Sequence, residues 1–208
     1  ALLPTPSDRD RAGPSSSCTA SKPTATQDEN GSLIAPATRA IRSRAEQLPL
    51  DAVGKGLLAT IHQYFAGRWS DFEACAVEIW RMLAPNTGIT TVTRASRDYG
   101  RDATGTYQLG PVADRIPLDF VLEAKCYGPE KPVGVKETSR LISRIRHRMF
   151  GVLVTTSYVH EQAYREVREN QYPIVIISGR DIVDILRRKG YSTSTELEAW
   201  LRSAFPAE

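Results

Sequence analysis

Apolar positions along this chain keep two rhythms. Phe72, Cys75, Ala76, Ile79, Trp80 and Leu83 recur three and four residues apart, which predicts a helix that stops before Pro85-Asn86. Ser70-Asp71-Phe72-Glu73 ahead of them has the form of a capping box. Residues 89–93 are β-branched and alternating, so they predict a strand. A polar, Gly-containing turn at 97–102 leads into a further strand or loop, and 118–127 predicts the next strand. The short apolar runs 150–155 and 173–177 read as strands buried on both faces, as parallel strands under crossover helices are. Helices are expected at 133–147, 160–169, 179–189 and 194–204. A helix, three strands, then strand and helix in alternation predict an α/β fold with a mixed central β-sheet flanked by helices.

The N-terminal part is patterned differently. Residues 1–36 are rich in Pro, Ser, Thr and Gly with almost no large apolar side chains, so they are expected to form a disordered tail or linker. Residues 37–68 are expected to form a helical extension, weak over 37–47 and amphipathic over 50–65, ahead of a compact domain at 69–208. Ala1-Leu2-Leu3-Pro4 lacks the basic start and apolar core of a secretory signal. Without an initiating Met, the chain is expected to be processed or cut from something longer.

Composition narrows the function classes. At 208 residues the chain holds one ordinary domain plus an appendage. Its 41% hydrophobic and 25% charged residues exclude a wholly disordered chain, a disulfide miniprotein and a collagen-like fibre. A formal charge of +3 and a pI near 8.8 permit a nucleic-acid partner without demanding one. Cys18, Cys75 and Cys126 lie far apart, and His62, His147 and His160 do not cluster with them. They read as reduced thiols of a cytosolic protein, not as a zinc site.

One constellation can carry chemistry. Alternation along a strand places Glu123 and Lys125 on one face, about 6–7 Å apart, with Ala124 on the other. A charged pair interrupting an apolar strand costs free energy unless partners or a cleft satisfy it. Asp102, at the edge of the adjoining strand, can share a hard cation such as Mg²⁺ with Glu123, leaving Lys125 to orient or deprotonate a water. Asp119 shares the face of Glu123 but lies about 13 Å along the strand, too far for one ion. Asp114 falls in an expected loop and Asp98 in a turn. The same Glu-x-Lys also reads as an edge-strand ion pair with one side in water.

Glu73, Asp98-Tyr99-Gly100-Arg101-Asp102, Glu123-Ala124-Lys125, the run at 151–157 and the run at 173–181 occur in this order. Together they resemble the Mrr-type branch of the PD-(D/E)xK restriction endonuclease superfamily, over roughly residues 69–189. The resemblance implies a restriction-endonuclease-like fold. It implies Asp102 and Glu123 as metal ligands, the Ala124 carbonyl completing the coordination, Lys125 as the catalytic lysine and Glu73 as a helix carboxylate joining the site. The implied cofactor is Mg²⁺, with Mn²⁺ able to substitute. Many Mrr-like proteins have Gln where Glu123 stands. Residues 103–117 are longer and more polar than the family's hairpin and are expected to form a DNA-contacting loop. Glu73 has a second reading, as the capping-box residue bonding the amide of Ser70.

Lys136, Arg140, Arg144 and Arg148 fall at fourfold spacing on the helix expected at 133–147 and just beyond it. Such a stripe either grips phosphates or is a solvated face. Thr155-Thr156-Ser157 either holds a phosphate at a helix start or caps the helix. The expected function is a cytoplasmic, Mg²⁺-dependent endonuclease that cuts double-stranded DNA as a homodimer, with modified DNA as a candidate substrate and recognition residing in another domain or subunit. Two alternatives stand beside it: a DNA-repair or junction-resolving nuclease, and a catalytically silent DNA-binding or assembly module on the same fold.

Overall fold

The computed structural model describes residues 26–27, 33–34, 41–92 and 103–206. It divides into two units, 1–38 and 39–208. In the first, β1 (Thr26–Gln27) and β2 (Leu33–Ile34) pair antiparallel, and most of the tail expected at 1–36 lies outside the described residues. Among the described residues no helix is long and apolar enough to cross a membrane.

The second unit is built on a five-stranded sheet in the order β3 (Thr87–Val92), β4 (Ala103–Leu109), β5 (Ile116–Lys125), β6 (Met149–Thr155) and β7 (Ile174–Ile177). The first three strands pair antiparallel and the last three parallel. The parallel joins need crossovers, which α4 (Val135–Ile142) and α5 (Glu161–Glu169) supply. This is the mixed sheet with flanking helices that the alternation predicts.

Strand alternation gives the sheet two buried faces. Phe120, Leu122 and Ala124 of β5 face a core made by α2 (Ala52–Tyr64), α3 (Phe72–Leu83), α6 (Gly179–Arg188) and α7 (Ser194–Ala204). Val121 faces the other core, with Leu141 of α4 and Ala163, Tyr164 and Val167 of α5. Leu57, Leu58, Ile61 and Phe65 of α2 belong to the same cluster as Phe72 and Trp80 of α3. The hydrophobic core therefore continues across residue 69, where the sequence predicts a domain start. Of the helix expected at 37–47, the described part is α1 (Arg44–Gln47).

Three local expectations are corrected. Residues 103–117 are mostly strand: Ala103 pairs with Leu122, and the register runs on to Leu109 with Ile116. Gly105 makes this possible, because a Cβ there would come within 2.9 Å of the Phe120 ring. The capping box at 70–73 does not form, since α3 begins after Asp71 and no side chain caps it. The helix expected at 133–147 ends at Ile142. Arg144 and Ile145 N–H then donate to the carbonyls of Leu141 and Ile142 in tight turns, and Arg148 adopts a left-handed φ of 62° that no right-handed helix accommodates.

Cys75 and Cys126 are free and buried. Burial pushes both thiols up, that of Cys126 to about 12, so neither presents a thiolate at about pH 8. Iodoacetamide on the native protein should leave both unmodified by peptide mapping, and both should react after denaturation.

Candidate active site

β5 ends where the chemistry-bearing residues begin. Its alternation turns Ala124 toward the α2/α3 core and Glu123 toward the α4/α5 side. Glu123 has no solvent exposure at all. A carboxylate so placed requires charge partners, and two cations supply them. Lys125 Nζ lies 2.6 Å from Oε1, and Arg144 Nη1 donates to Oε2 at 2.5 Å. The Lys125 contact is ionic without a directed hydrogen bond, because Oε1 has no partner of adequate angle. The same ammonium donates to the Ala124 carbonyl at 2.9 Å.

Arg144 is thus the unexpected member of the site. With its side chain only 9% exposed, it cannot share a solvent face with Lys136 and Arg140. The four-residue basic stripe is corrected to an exposed pair, Lys136 and Arg140 on α4, with Arg148 exposed on the following turn. The turn that carries Arg144 packs closely on the sheet because β6 has Gly151 beneath it. A Cβ on Gly151 would meet Ile145 Cδ1 at 2.9 Å.

Lys125 opens onto a cavity of about 490 Å³ that Glu73, Ala124, Cys126, Tyr127 and Lys131 also line. Glu73 is the second residue of α3, forms no capping box and lines this cavity. Sequence reasoning missed His62, Trp69, Tyr127 and Lys131 as lining residues. His62 and Trp69 have rings 5.1 Å apart, and Lys131 Nζ sits 4.0 Å over the Tyr127 ring. The available signal was position: Tyr127 and Lys131 follow Lys125 on the loop leaving β5. Burial and the neighbouring Glu137 raise the Tyr127 phenol, which donates to Glu137 Oε1 at 3.3 Å.

Thr155-Thr156-Ser157 holds this loop and not an external phosphate. All three are buried; Thr156 Oγ1 donates to the Tyr127 carbonyl and Ser157 Oγ to the Lys131 carbonyl, each at 2.7 Å. His160, not this run, caps α5.

Asp98 and Asp102 lie outside the described residues. Ala103, next to Asp102 in the chain, pairs with Leu122, next to Glu123. Asp119 is exposed and pairs with Met149 in the sheet register, four residues from Glu123. Asp114 is exposed in the hairpin turn. Among the described residues no three His, Cys, Asp or Glu side chains form a metal-holding group.

The restriction endonuclease family model, that of the Mrr catalytic domain, matches residues 66–195. The chain belongs to the Mrr-type restriction endonuclease family. Two solved structures share the fold of this Mrr-type chain. AspBHI, a DNA modification-dependent restriction endonuclease, is 47% identical with a TM-score of 0.77 over 83% of this chain and 44% of that one. The MspJI restriction endonuclease, in complex with a 27-mer oligonucleotide, is 28% identical with a TM-score of 0.67 over 81% of this chain and 39% of that one. The chain thus spans less than half the length of either enzyme. No curated protein matches it.

The two environments of the basic residues predict different costs. Arg144→Met removes a partner from a buried carboxylate and should lower the unfolding free energy by about 3 kcal/mol. Lys136→Met, on the solvent face, should stay within about 0.5 kcal/mol. Urea unfolding of the two variants measures both.

Proposed function

We propose that this chain is the DNA-cutting domain of a modification-dependent restriction endonuclease, hydrolysing phosphodiester bonds of duplex DNA with Mg²⁺ as cofactor. The single observation that carries this is the convergence of the Glu123 carboxylate, the Ala124 carbonyl and the Lys125 ammonium at the end of β5, beside an open cavity. The 47% identity to AspBHI supports the restriction and modification-dependent parts of the reading.

The donor set suits a hard cation. A carboxylate and a backbone carbonyl are oxygen ligands of the kind Mg²⁺ and Mn²⁺ prefer. Oε1 of Glu123 is buried without a directed hydrogen bond, so it keeps lone pairs available for coordination. Glu123 and Ala124 would hold the ion, with Asp102 as the second carboxylate that the family resemblance assigns and Glu73 supporting from α3. A bound cation would offset negative charge building on the attacked phosphate.

The chain's own residues do the rest. Lys125 aligns the attacking water through Nζ, and the water oxygen bonds to phosphorus as one bridging P–O bond breaks. The departing oxygen leaves with that bond's electron pair and takes up a proton, and the water's proton passes to solvent. Lys136, Arg140 and Arg148 neutralise DNA phosphates, which positions the duplex without reading its bases. Two sites are needed to cut both strands, so the domain acts as a homodimer on DNA. Recognition of the modified base resides outside this chain, in keeping with its share of the length of AspBHI and MspJI.

Plasmid nicking tests the reading. With Mg²⁺ or Mn²⁺ the wild type should nick modified (methylated) DNA in preference to unmodified DNA when joined to its recognition part. Lys125→Ala should reduce nicking by at least about a hundredfold while leaving DNA binding intact. A wild type that cuts no substrate with either cation would instead support a silent DNA-binding module. The basic residues give a separate readout: Lys136→Ala with Arg140→Ala should lower the slope of log affinity against log salt by about two.

A further inference from the structure

Lys125 stands between the cavity and Glu123. The cavity wall includes Ala124 and Lys125 but neither Glu123 nor Arg144. Entry through this cavity therefore meets Lys125 before it meets the carboxylate. That ammonium spans two oxygens, Oε1 of Glu123 at 2.6 Å and the Ala124 carbonyl at 2.9 Å. These are the same two oxygens that the nuclease reading gives to a divalent cation. An ammonium and a divalent cation drawn to the same two oxygens repel each other at this range, so binding the cation weakens the hold of the ammonium.

The two cations on Glu123 are unequal. Arg144 holds Oε2 from the buried side, on a turn whose backbone N–H donates to the Leu141 carbonyl within the α4/α5 core. Lys125 holds Oε1 at the mouth, on a flexible side chain 17% exposed. One is held on the buried side and the other at the mouth.

We propose that Lys125 is a tethered counter-ion that keeps the cation site closed at rest and yields Glu123 Oε1 and the Ala124 carbonyl when a divalent cation arrives. Its Nζ then turns into the cavity, where the scissile phosphate docks, while Arg144 keeps Oε2 throughout. This rests on the nuclease reading and adds a regulation of the same site. The catalytic amine reaches the substrate only once the cation is in place, so neither acts without the other.

Amine footprinting of the full chain, without DNA, tests this directly. Acetylation of Lys125 by an N-hydroxysuccinimide ester, read by peptide mapping, should rise several-fold on adding Mg²⁺ or Ca²⁺, while exposed Lys136 stays constant. Calorimetry supplies the second arm. Lys125→Met should tighten Mg²⁺ binding by about tenfold. Lys131→Met removes an equal charge from the same cavity without touching either oxygen, and should tighten it far less.

Three results would overturn the proposal. Lys125 labelling that stays flat or falls while calorimetry records bound cation sinks the gate and leaves the nuclease reading standing. So does equal tightening in both lysine variants, which would reduce the effect to general charge. If neither the wild type nor Lys125→Met binds a divalent cation, the metal-dependent reading fails and takes this inference with it.

Discussion

A carboxylate sealed from water between two cations is the constraint around which this domain's functional end is arranged. Leaving Glu123 ionised there without partners would cost several kcal/mol, more than most single contacts return. Lys125 on the same strand and Arg144 after α4 meet that cost from opposite sides. Their placement in turn depends on local packing: α4 must end at Ile142, and the turn behind it must reach the sheet over Gly151. A buried ion cluster of this kind contributes little net stability compared with apolar packing.

The cavity beside it is assembled from parts with different tasks. β5 and β6 run parallel, with Lys125 beside Thr155, and the cavity opens at the carboxyl end of β5, where open α/β sheets commonly bind ligands. The loop leaving β5 carries Tyr127 and Lys131 to the wall, and Thr156 and Ser157 tie that loop down through its carbonyls. α3 contributes Glu73 from the opposite core. The two cores on either side of the sheet therefore both reach the site, one through Glu73 and the other through Arg144.

Much of this was legible in the sequence because it is local. Apolar runs at β6 and β7 sit under crossover helices, α7 spans the expected 194–204, and Glu123-Ala124-Lys125 alternates as a strand must. What stayed hidden depended on contacts distant in the chain. Arg144 fell in step with Lys136 and Arg140, but α4 ends at Ile142 and Arg144 turns to Glu123, twenty-one residues away. β4 read as a polar loop because Thr104, Thr106 and Gln108 alternate with Ala103, Gly105 and Tyr107, and two of those inward residues are too small to register as core. Glu73 matched a capping box by spacing, yet the helix starts at Phe72 and the residue lines the cavity. Asp102, the residue the resemblance adds as a second metal ligand, lies outside the described residues.

On the proposed reading, Glu123 and the Ala124 carbonyl hold a divalent cation. Anomalous scattering from crystals of the protein soaked in Mn²⁺ tests it most directly. A manganese peak is expected within about 2.6 Å of both a Glu123 carboxylate oxygen and the Ala124 carbonyl oxygen, with Lys125 Nζ displaced from them. Manganese bound elsewhere, or a Glu123 that keeps Lys125 and Arg144 under saturating Mn²⁺, would contradict it.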